Sequence, residues 1–123
     1  LGDGTQSKSY IYVADVLDAM RMIEKNHLHG YSYFNVSTLD HITVTEIADI
    51  VKNLLGLSEV KYAYTGGDRG WKGDVPVVRL DSSKIRSLGW NNKYTAADAI
   101  RKSVESIISD ANAGRFGWEG PIQ

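Results

Sequence analysis

Cysteine is absent from this sequence of 123 residues. Its absence excludes disulfide bonds and thiolate metal sites, and it is typical of a cytoplasmic protein. Long hydrophobic runs are absent too, because the apolar stretches are only a few residues long and too short to cross a membrane. The opening residues, LGDGTQSKS, lack the charged and apolar regions of a signal peptide. Since the first residue is Leu1 and not methionine, we expect the chain to be part of a longer polypeptide.

An excess of charge of one sign is also missing. Lysine and arginine number 14, aspartate and glutamate number 15, and the net charge is −1. The basic residues are scattered, so the chain has no long-range attraction to nucleic acid or to an acidic membrane, and we expect neither as a partner. A hydrophobic content of 42% and a charged content of 24% are those of a globular protein. We place one compact domain at residues 1–112 and a loose, glycine-rich tail at residues 113–123.

Alternating strand and helix signals predict a small α/β fold. Strands are predicted where aromatic and β-branched residues concentrate, with a short extended piece after them: residues 9–15, 31–37, 60–64 and 77–80. Helices are predicted to begin at four residues that can cap a helix, namely Asp15, Thr43, Asp81 and Thr95. Thr43 and Glu46 have the spacing of a capping box. The last helix is predicted to carry an apolar stripe from Ala99 to Ile108 and to end near residue 112.

Glycine is plentiful, and three glycines of the segment TGGDRGWKGDVP (residues 65–76, the glycine loop) have a G-x-x-G-x-x-G spacing. A dinucleotide site needs a helix that begins in such a loop, because the N–H groups of its first turn hold the pyrophosphate. Here Gly73 is followed by Asp74, Val75, Pro76 and a β-branched pair, which do not begin a helix. We therefore predict that this chain does not itself bind NAD. The remaining readings are a flexible surface loop and an anion-binding loop in which Arg69 and Lys72 contact phosphate.

Four segments, in this order and spacing, resemble the C-terminal part of nucleotide-sugar epimerases and dehydratases: LGDGTQSKSYIYVADV, YFNVSTLDHITVTEIADIV, RGWKGDVP followed by LDSSKIRSLGW, and YTAADAIRKSV. These enzymes are extended short-chain dehydrogenases/reductases, and the resemblance is greatest to UDP-glucose 4-epimerases. It implies a small substrate-binding lobe of short strands and helices. It also implies that NAD and a catalytic Tyr-x-x-x-Lys pair belong to an N-terminal Rossmann domain that this chain does not contain. The lobe alone has no catalytic residue and is expected to be inactive.

The resemblance also implies which residues hold the nucleotide diphosphate of a UDP-sugar. Lys8 stands where the family usually carries a phosphate-binding arginine, and Arg69 matches a second such arginine. The loop here is longer than usual before its Gly-Asp pair, which leaves Lys72 as a competing phosphate ligand. Asp74, the acidic member of that pair, is expected to accept a hydrogen bond from a ribose hydroxyl.

Two further residues have a binding and a structural interpretation. Val78 matches a position that borders the sugar, or it simply packs in a strand. Trp71 lies in the glycine loop, where it would cover the base, the sugar or the phosphates. His27 and His29 form an incomplete metal site, and no metal is predicted.

The intact protein is thus expected to be an NAD-dependent UDP-sugar 4-epimerase. The alternatives are a nucleotide-sugar 4,6-dehydratase and a stand-alone, non-catalytic nucleotide-binding or interaction module. Because the face that would meet the Rossmann domain lacks its partner, we also expect the 123-residue chain to self-associate.

Overall fold

The fold is a small α/β unit in which few strands accompany several helices. A computed structural model describes residues 1–26, 29–67, 69–75 and 77–115. Its elements in chain order are β1 (Ser7–Lys8), α1 (Val13–Lys25), β2 (Ile42–Thr43), α2 (Val44–Leu54), β3 (Val77–Val78), α3 (Ser83–Arg86) and α4 (Ala96–Asn112). This architecture confirms the predicted α/β fold. No helix within the described ranges is both long and apolar enough to span a bilayer.

The sheet has three very short strands in the order β2-β1-β3. β1 pairs antiparallel with β2, and it pairs parallel with β3 so that Lys8 lies beside Val78. An isolated antiparallel bridge joins Gly2 to Gly66. The sheet therefore brings the N-terminal segment against both ends of the glycine loop.

The two predicted N-termini at Thr43 and Thr95 are confirmed in atomic detail. The Thr43 hydroxyl accepts a hydrogen bond from the backbone N–H of Glu46, and the Glu46 carboxylate accepts one from the backbone N–H of Thr43 at 2.8 Å. Thr95 and Asp98 form the same reciprocal pair at the start of α4. Each pair satisfies two backbone donors that a helix end otherwise leaves free.

Replacing Thr43 with alanine is expected to destabilise the chain by about 1 kcal/mol at neutral pH, because one cap is lost. The backbone N–H of Thr43 and, to a smaller extent, its hydroxyl, which donates to the Glu46 carboxylate at 2.7 Å, hold the pKa of Glu46 below its usual value. Thr43→Ala keeps the N–H and removes the part that comes from the hydroxyl. The contribution of Glu46 is therefore present above its ordinary pKa and is lost as the pH falls through the lowered one. Urea unfolding should accordingly show a smaller effect of Thr43→Ala at pH 3 than at pH 7. Ser58→Ala, in the exposed turn after α2, is the control and should change little at either pH.

The predictions at Asp15 were wrong. No strand forms at residues 9–15: β1 ends at Lys8, before the predicted strand, and α1 begins at Val13 with Tyr12 as its N-cap. Asp15 lies within the first turn and is 1% exposed. Its carboxylate accepts the backbone N–H groups of Lys93 at 3.0 Å and Tyr94 at 3.2 Å. Asp15 therefore fastens α1 to the segment that leads into α4 and does not cap its own helix.

The strands predicted at residues 31–37 and 60–64 were also wrong as strands. Neither segment belongs to a ladder among the residues that the structure covers. Residues 60–64 are held against α2 through side chains: the Tyr62 hydroxyl donates to Asp49 at 2.7 Å, which raises the pKa of Tyr62 to about 12. Asp81 accepts the N–H of Ser83 at 2.8 Å, one residue before the N-cap position of α3. The extended piece at residues 77–80 is confirmed in part by β3.

The core lies between α1, α3 and the segment after α1. Ala19, Ile85 and Trp90 form its centre, with partly buried apolar side chains packed around them. The indole N–H of Trp90 donates to the carbonyl oxygen of Asp15 at 3.1 Å. α2 packs against α4 beside this core. Within the predicted stripe of α4, Ala99 is buried but Ile107 is 53% exposed, so the stripe is only partly covered in this chain.

Candidate functional site

An ion pair joins two of the predicted site residues, although they stand far apart in the sequence. The Lys8 ammonium donates to the Asp74 carboxylate at 2.7 Å, and the Asp74 side chain is only 8% exposed. The other carboxylate oxygen accepts the backbone N–H of Gly70 at 3.2 Å. Lys8 and, to a smaller extent, the Gly70 N–H hold the pKa of Asp74 below its usual value. Asp74 therefore ties β1 to the part of the glycine loop that follows Arg69.

A small cavity of about 50 Å³ opens beside this pair. Its polar lining comes from Gln6, Lys8, Tyr10 and Asp74, and its apolar lining comes from Ile42, Val44 and Ile47. Gln6 is 4% exposed, and neither polar atom of its amide has a hydrogen-bond partner among the residues described. Gln6, Lys8 and Asp74 thus line one cavity, while the amide of Gln6 lies against Gly2. Such a set suits a ligand that carries both hydroxyl groups and negative charge.

The glycine loop presents Arg69 and Lys72 to solvent. Arg69 and Lys72 are exposed, and Trp71 is 65% exposed. The backbone turns at Trp71, whose carbonyl accepts the N–H of Asp74 at 3.0 Å. A Cβ atom at Gly73 would lie 2.4 Å from the Trp71 ring, so glycine is needed there for the indole to keep its position. The loop leads to the strand β3 and not to a helix. It therefore does not fit the pyrophosphate of a dinucleotide.

The six predicted site residues are brought together only in part. Lys8 and Asp74 are in contact, Val78 is the sheet neighbour of Lys8, and Val78 is 37% exposed. Arg69, Lys72 and Trp71 lie in the loop that Asp74 anchors, and none of them forms a hydrogen bond with Lys8 within the residues that the structure describes. The roles proposed for all six stay predictions.

Sequence reasoning missed Gln6 and Tyr10. In an extended segment residues two apart share a face, so both lie on the face of Lys8. This alternation could have indicated both residues. It was missed because the strand was predicted to start at Ser9, which leaves Gln6 and Lys8 outside it.

A larger cavity of about 400 Å³ lies elsewhere and is lined by Ser9, Thr38, Leu39, His41, Arg79 and Leu80. Ser9 and Arg79 alternate with Lys8 and Val78 along their strands, which places this cavity on the opposite face of the sheet. The two hydroxyls in it already bond to each other, at 2.6 Å between Ser9 and Thr38. We place the candidate site at the smaller cavity, because the Lys8–Asp74 ion pair lines it.

Metal ligation has no support within the part of the chain that the structure describes, where no three His, Cys, Asp or Glu residues cluster. His27, one half of the pair considered from the sequence, lies outside that part.

The ion pair predicts a specific titration behaviour. Because Lys8 is the main cause of the lowered pKa of Asp74, Lys8→Met should raise that pKa toward the ordinary value. Lys72→Met removes the same charge from the exposed loop and should leave the Asp74 pKa almost unchanged. Carboxyl ¹³C NMR between pH 2 and pH 7 measures both. In the wild-type chain, the stability that Asp74 contributes is present above the ordinary aspartate pKa and is lost as the pH falls through the lowered value. Equal shifts in the two variants would contradict the pairing.

Comparison with known proteins gives relatives of one kind. No protein-family model matches the chain. GDP-L-fucose synthase 1 of Arabidopsis thaliana is 28% identical over 89% of the chain and 32% of that protein. UDP-glucose 4-epimerase of Mycolicibacterium smegmatis is 29% identical over 85% of the chain and 32% of its length. The crystal structure of UDP-glucose 4-epimerase from Thermotoga maritima with UDP-glucose superposes with a TM-score of 0.74, at 27% identity, over 90% of the chain and 34% of that enzyme.

The fold and these relatives define a class of enzyme. The chain is similar to the nucleotide-sugar epimerases and related enzymes of the short-chain dehydrogenase/reductase family, as the resemblance predicted. It spans about one third of the length of the relatives it matches.

Proposed function

We propose that the chain is the nucleotide-sugar-binding lobe of an NAD-dependent, cytoplasmic nucleotide-sugar epimerase of the UDP-glucose 4-epimerase type. The observation that carries the proposal is the convergence of Lys8, Asp74 and the Gly70 N–H beside a cavity, at the base of a loop that presents Arg69 and Lys72. The structural neighbour from Thermotoga maritima contains UDP-glucose, which supports a ligand of this class.

The lobe binds the diphosphate through its cations. Arg69 donates two parallel N–H bonds to phosphate oxygens, which a lysine cannot do. Lys8 has three N–H donors and contributes one to Asp74, so it has donors left for a phosphate oxygen. Lys72 supplies a further charge from the same loop, and the exposed Trp71 ring covers the bound phosphates or sugar.

The lobe also positions the two sugars of the ligand, the ribose of the nucleotide and the hexose. Asp74 is held on two sides, by Lys8 and by the Gly70 N–H, and a carboxylate fixed in this way accepts a ribose hydroxyl without having to be ordered first. Val78, beside Lys8 in the sheet, borders the sugar.

NAD supplies oxidation and reduction at C4 of the sugar when it is bound to the complete enzyme. The glycine loop does not fit that cofactor, because it leads into β3 and not into a helix. We assign NAD to the Rossmann domain outside the chain, and we assign to this lobe only substrate binding and orientation.

A second candidate is the lobe of an enzyme that acts on a GDP-sugar. The observation that favours it is the similarity to GDP-L-fucose synthase 1 of Arabidopsis thaliana, which covers as much of the chain as the similarity to the epimerases. In both candidates the residues of the cavity contact the sugar and the phosphates. They do not contact the nucleotide base, so they do not distinguish a UDP-sugar from a GDP-sugar.

Turnover by the complete enzyme tests the proposal. Incubated with NAD and UDP-galactose, it should form UDP-glucose, followed by ¹H NMR of the anomeric protons, and it should leave GDP-sugars unchanged. The 123-residue chain alone is the control and should give no turnover. Reaction with GDP-sugars alone would move the assignment to the second candidate. Nucleotide binding without any turnover would make the chain part of a non-catalytic module and contradict the proposal.

A further inference from the structure

A groove on the surface of α1 carries three cations and lies outside the candidate site. It has a volume of about 370 Å³ and runs between α1 and the segment that joins α3 to α4. Met22 and Trp90 form its apolar wall, and both side chains belong to the core. Its charged residues are Asp18, Arg21, Lys25 and Lys93, and we call this surface the α1 groove. Among the residues that the structure describes, it shares none with the lining of the Lys8–Asp74 cavity.

The α1 groove has more positive than negative charge. Its one carboxylate within the described ranges, that of Asp18, pairs with Arg21 at 3.2 Å and with Lys93 at 2.5 Å. Lys93 and, to a smaller extent, Arg21 hold the pKa of Asp18 below its usual value, so this carboxylate is ionised at neutral pH. Lys25, one turn beyond Arg21 on α1, makes no ion pair or side-chain hydrogen bond with a residue that the structure describes. Three positive charges thus accompany a single negative one.

Most N–H donors of these cations have no acceptor in the described part of the chain. A guanidinium has five N–H donors and an ammonium has three. Arg21 and Lys93 each donate one hydrogen bond to Asp18, and Oδ1 of Asn91, beside them, already accepts from Arg86 at 3.0 Å. A ligand in the groove must therefore bring acceptor oxygens. Because a single exposed ion pair is weak, a ligand gains most when two or more negative charges meet several of these cations at once.

The backbone that carries the cations is fixed by buried contacts. The backbone N–H of Lys93 donates to the buried Asp15 carboxylate at 3.0 Å, and the Trp90 indole donates to the Asp15 carbonyl at 3.1 Å. Arg21 and Lys25 lie on α1 itself. The fold therefore sets the separation between the α1 cations and Lys93, and a preorganised set of this kind loses less entropy when a ligand binds.

We propose that the α1 groove is a second anion site, which binds a small molecule that carries two or more negative charges in the manner of a diphosphate. The planar fork of Arg21 donates to two oxygens, while Lys25 and Lys93 each donate to one. The apolar wall of Met22 and Trp90 contacts an uncharged part of the same molecule. Because the groove is separate from the Lys8–Asp74 cavity, the proposal does not depend on the proposed function.

An NMR titration of the 123-residue chain with pyrophosphate tests the site. Gly89, Asn91 and Lys93 line the groove, and their amide signals should shift along saturating curves. The amide of Gly70 reports separately on binding at the Lys8–Asp74 cavity. Shifts that stay linear, or that NaCl of equal ionic strength reproduces, would show general screening only and would overturn the proposal. In the complete enzyme the Met22 methyl signal should also respond and saturate. No response there would mean that the rest of the enzyme covers the groove, which would overturn the proposal as well.

Two substitutions with opposite expected effects test the role of charge. Lys25→Ala removes a cation and should weaken pyrophosphate binding about two- to fivefold. Asp18→Asn removes the competing carboxylate and should tighten binding by a similar factor, because it releases donors of Arg21 and Lys93. Lys52→Ala, on α2 and outside the groove, is the matched control and should leave binding unchanged. Weaker binding by Asp18→Asn, or equal losses in Lys25→Ala and Lys52→Ala, would contradict an anion site in the α1 groove.

Discussion

Replacing Arg69 with alanine is expected to weaken UDP-glucose binding by the complete enzyme roughly 10- to 100-fold. The reason is that each hydrogen bond from the guanidinium to a phosphate is worth about 1.5 to 3 kcal/mol, and 1.4 kcal/mol corresponds to a tenfold change in affinity. Arg69 is exposed in this structure, so its removal should not disturb the fold. Isothermal titration calorimetry with UDP-glucose and with uridine measures the effect. The loss should be much smaller for uridine, which has no phosphate.

Two companion variants locate the phosphate contacts more closely. Lys72→Ala keeps Arg69 in the same loop and should cost less affinity than Arg69→Ala, because a lysine contributes one point charge and no fork. Lys8→Arg restores the geometry that the family usually has and should preserve or tighten binding. Equal losses for UDP-glucose and uridine in Arg69→Ala would mean that Arg69 supports the shape of the loop. Unchanged affinity for UDP-glucose in that variant would mean that Lys72, and not Arg69, is the phosphate ligand.

Replacing Asp15 with alanine should destabilise the chain by about 3 kcal/mol, because two hydrogen bonds to a charged group are lost and two backbone donors are left without their acceptor. Asp15 is 1% exposed, and its partners at Lys93 and Tyr94 lie far along the sequence. Denaturant unfolding of the 123-residue chain is the measurement.

Asp18→Ala is the matched control for Asp15. Asp18 lies one turn further along α1, and its partly exposed carboxylate pairs with Lys93 and Arg21 at the surface. Exposed ion pairs contribute little to stability, so the control should lose far less. Equal destabilisation by the two variants would mean that the buried carboxylate does not hold the start of α4.

The contrast between Asp15 and Thr43 shows where sequence reasoning succeeded. The capping boxes at Thr43 and Thr95 involve residues three positions apart, and a local pattern contains all the information that they need. Asp15 also stands at a plausible cap position, but its hydrogen-bond partners are 78 and 79 residues away. A single sequence gives no means of locating such partners. The neighbouring sequence therefore supported Asp15 as an N-cap, but in the folded chain Asp15 has a different role.

The strand predictions failed for a related reason. Residues 31–37 and 60–64 have the composition of strands, yet a strand exists only where another segment supplies its hydrogen bonds. Within the ranges that the structure describes, the three strands that form are two residues each, too short to give a clear periodic signal. The helices α2 and α4, which satisfy their own backbone groups, were predicted well.

The candidate site could be predicted from the sequence only in part. The identities of Lys8, Arg69 and Asp74 came from a family resemblance. The contact between Lys8 and Asp74, 66 residues apart, required the fold. Gln6 could not be found from composition, because a buried amide without a partner is a property of the packed chain.

A crystal structure of the complete enzyme with UDP-glucose is the most direct test of the claim that this lobe holds the nucleotide diphosphate. We predict that phosphate oxygens lie within hydrogen-bond distance of Arg69 or Lys72 and of Lys8, and that a ribose hydroxyl donates to Asp74. A structure in which the diphosphate lies on another part of the enzyme, with the Lys8–Asp74 cavity free of ligand, would contradict the claim.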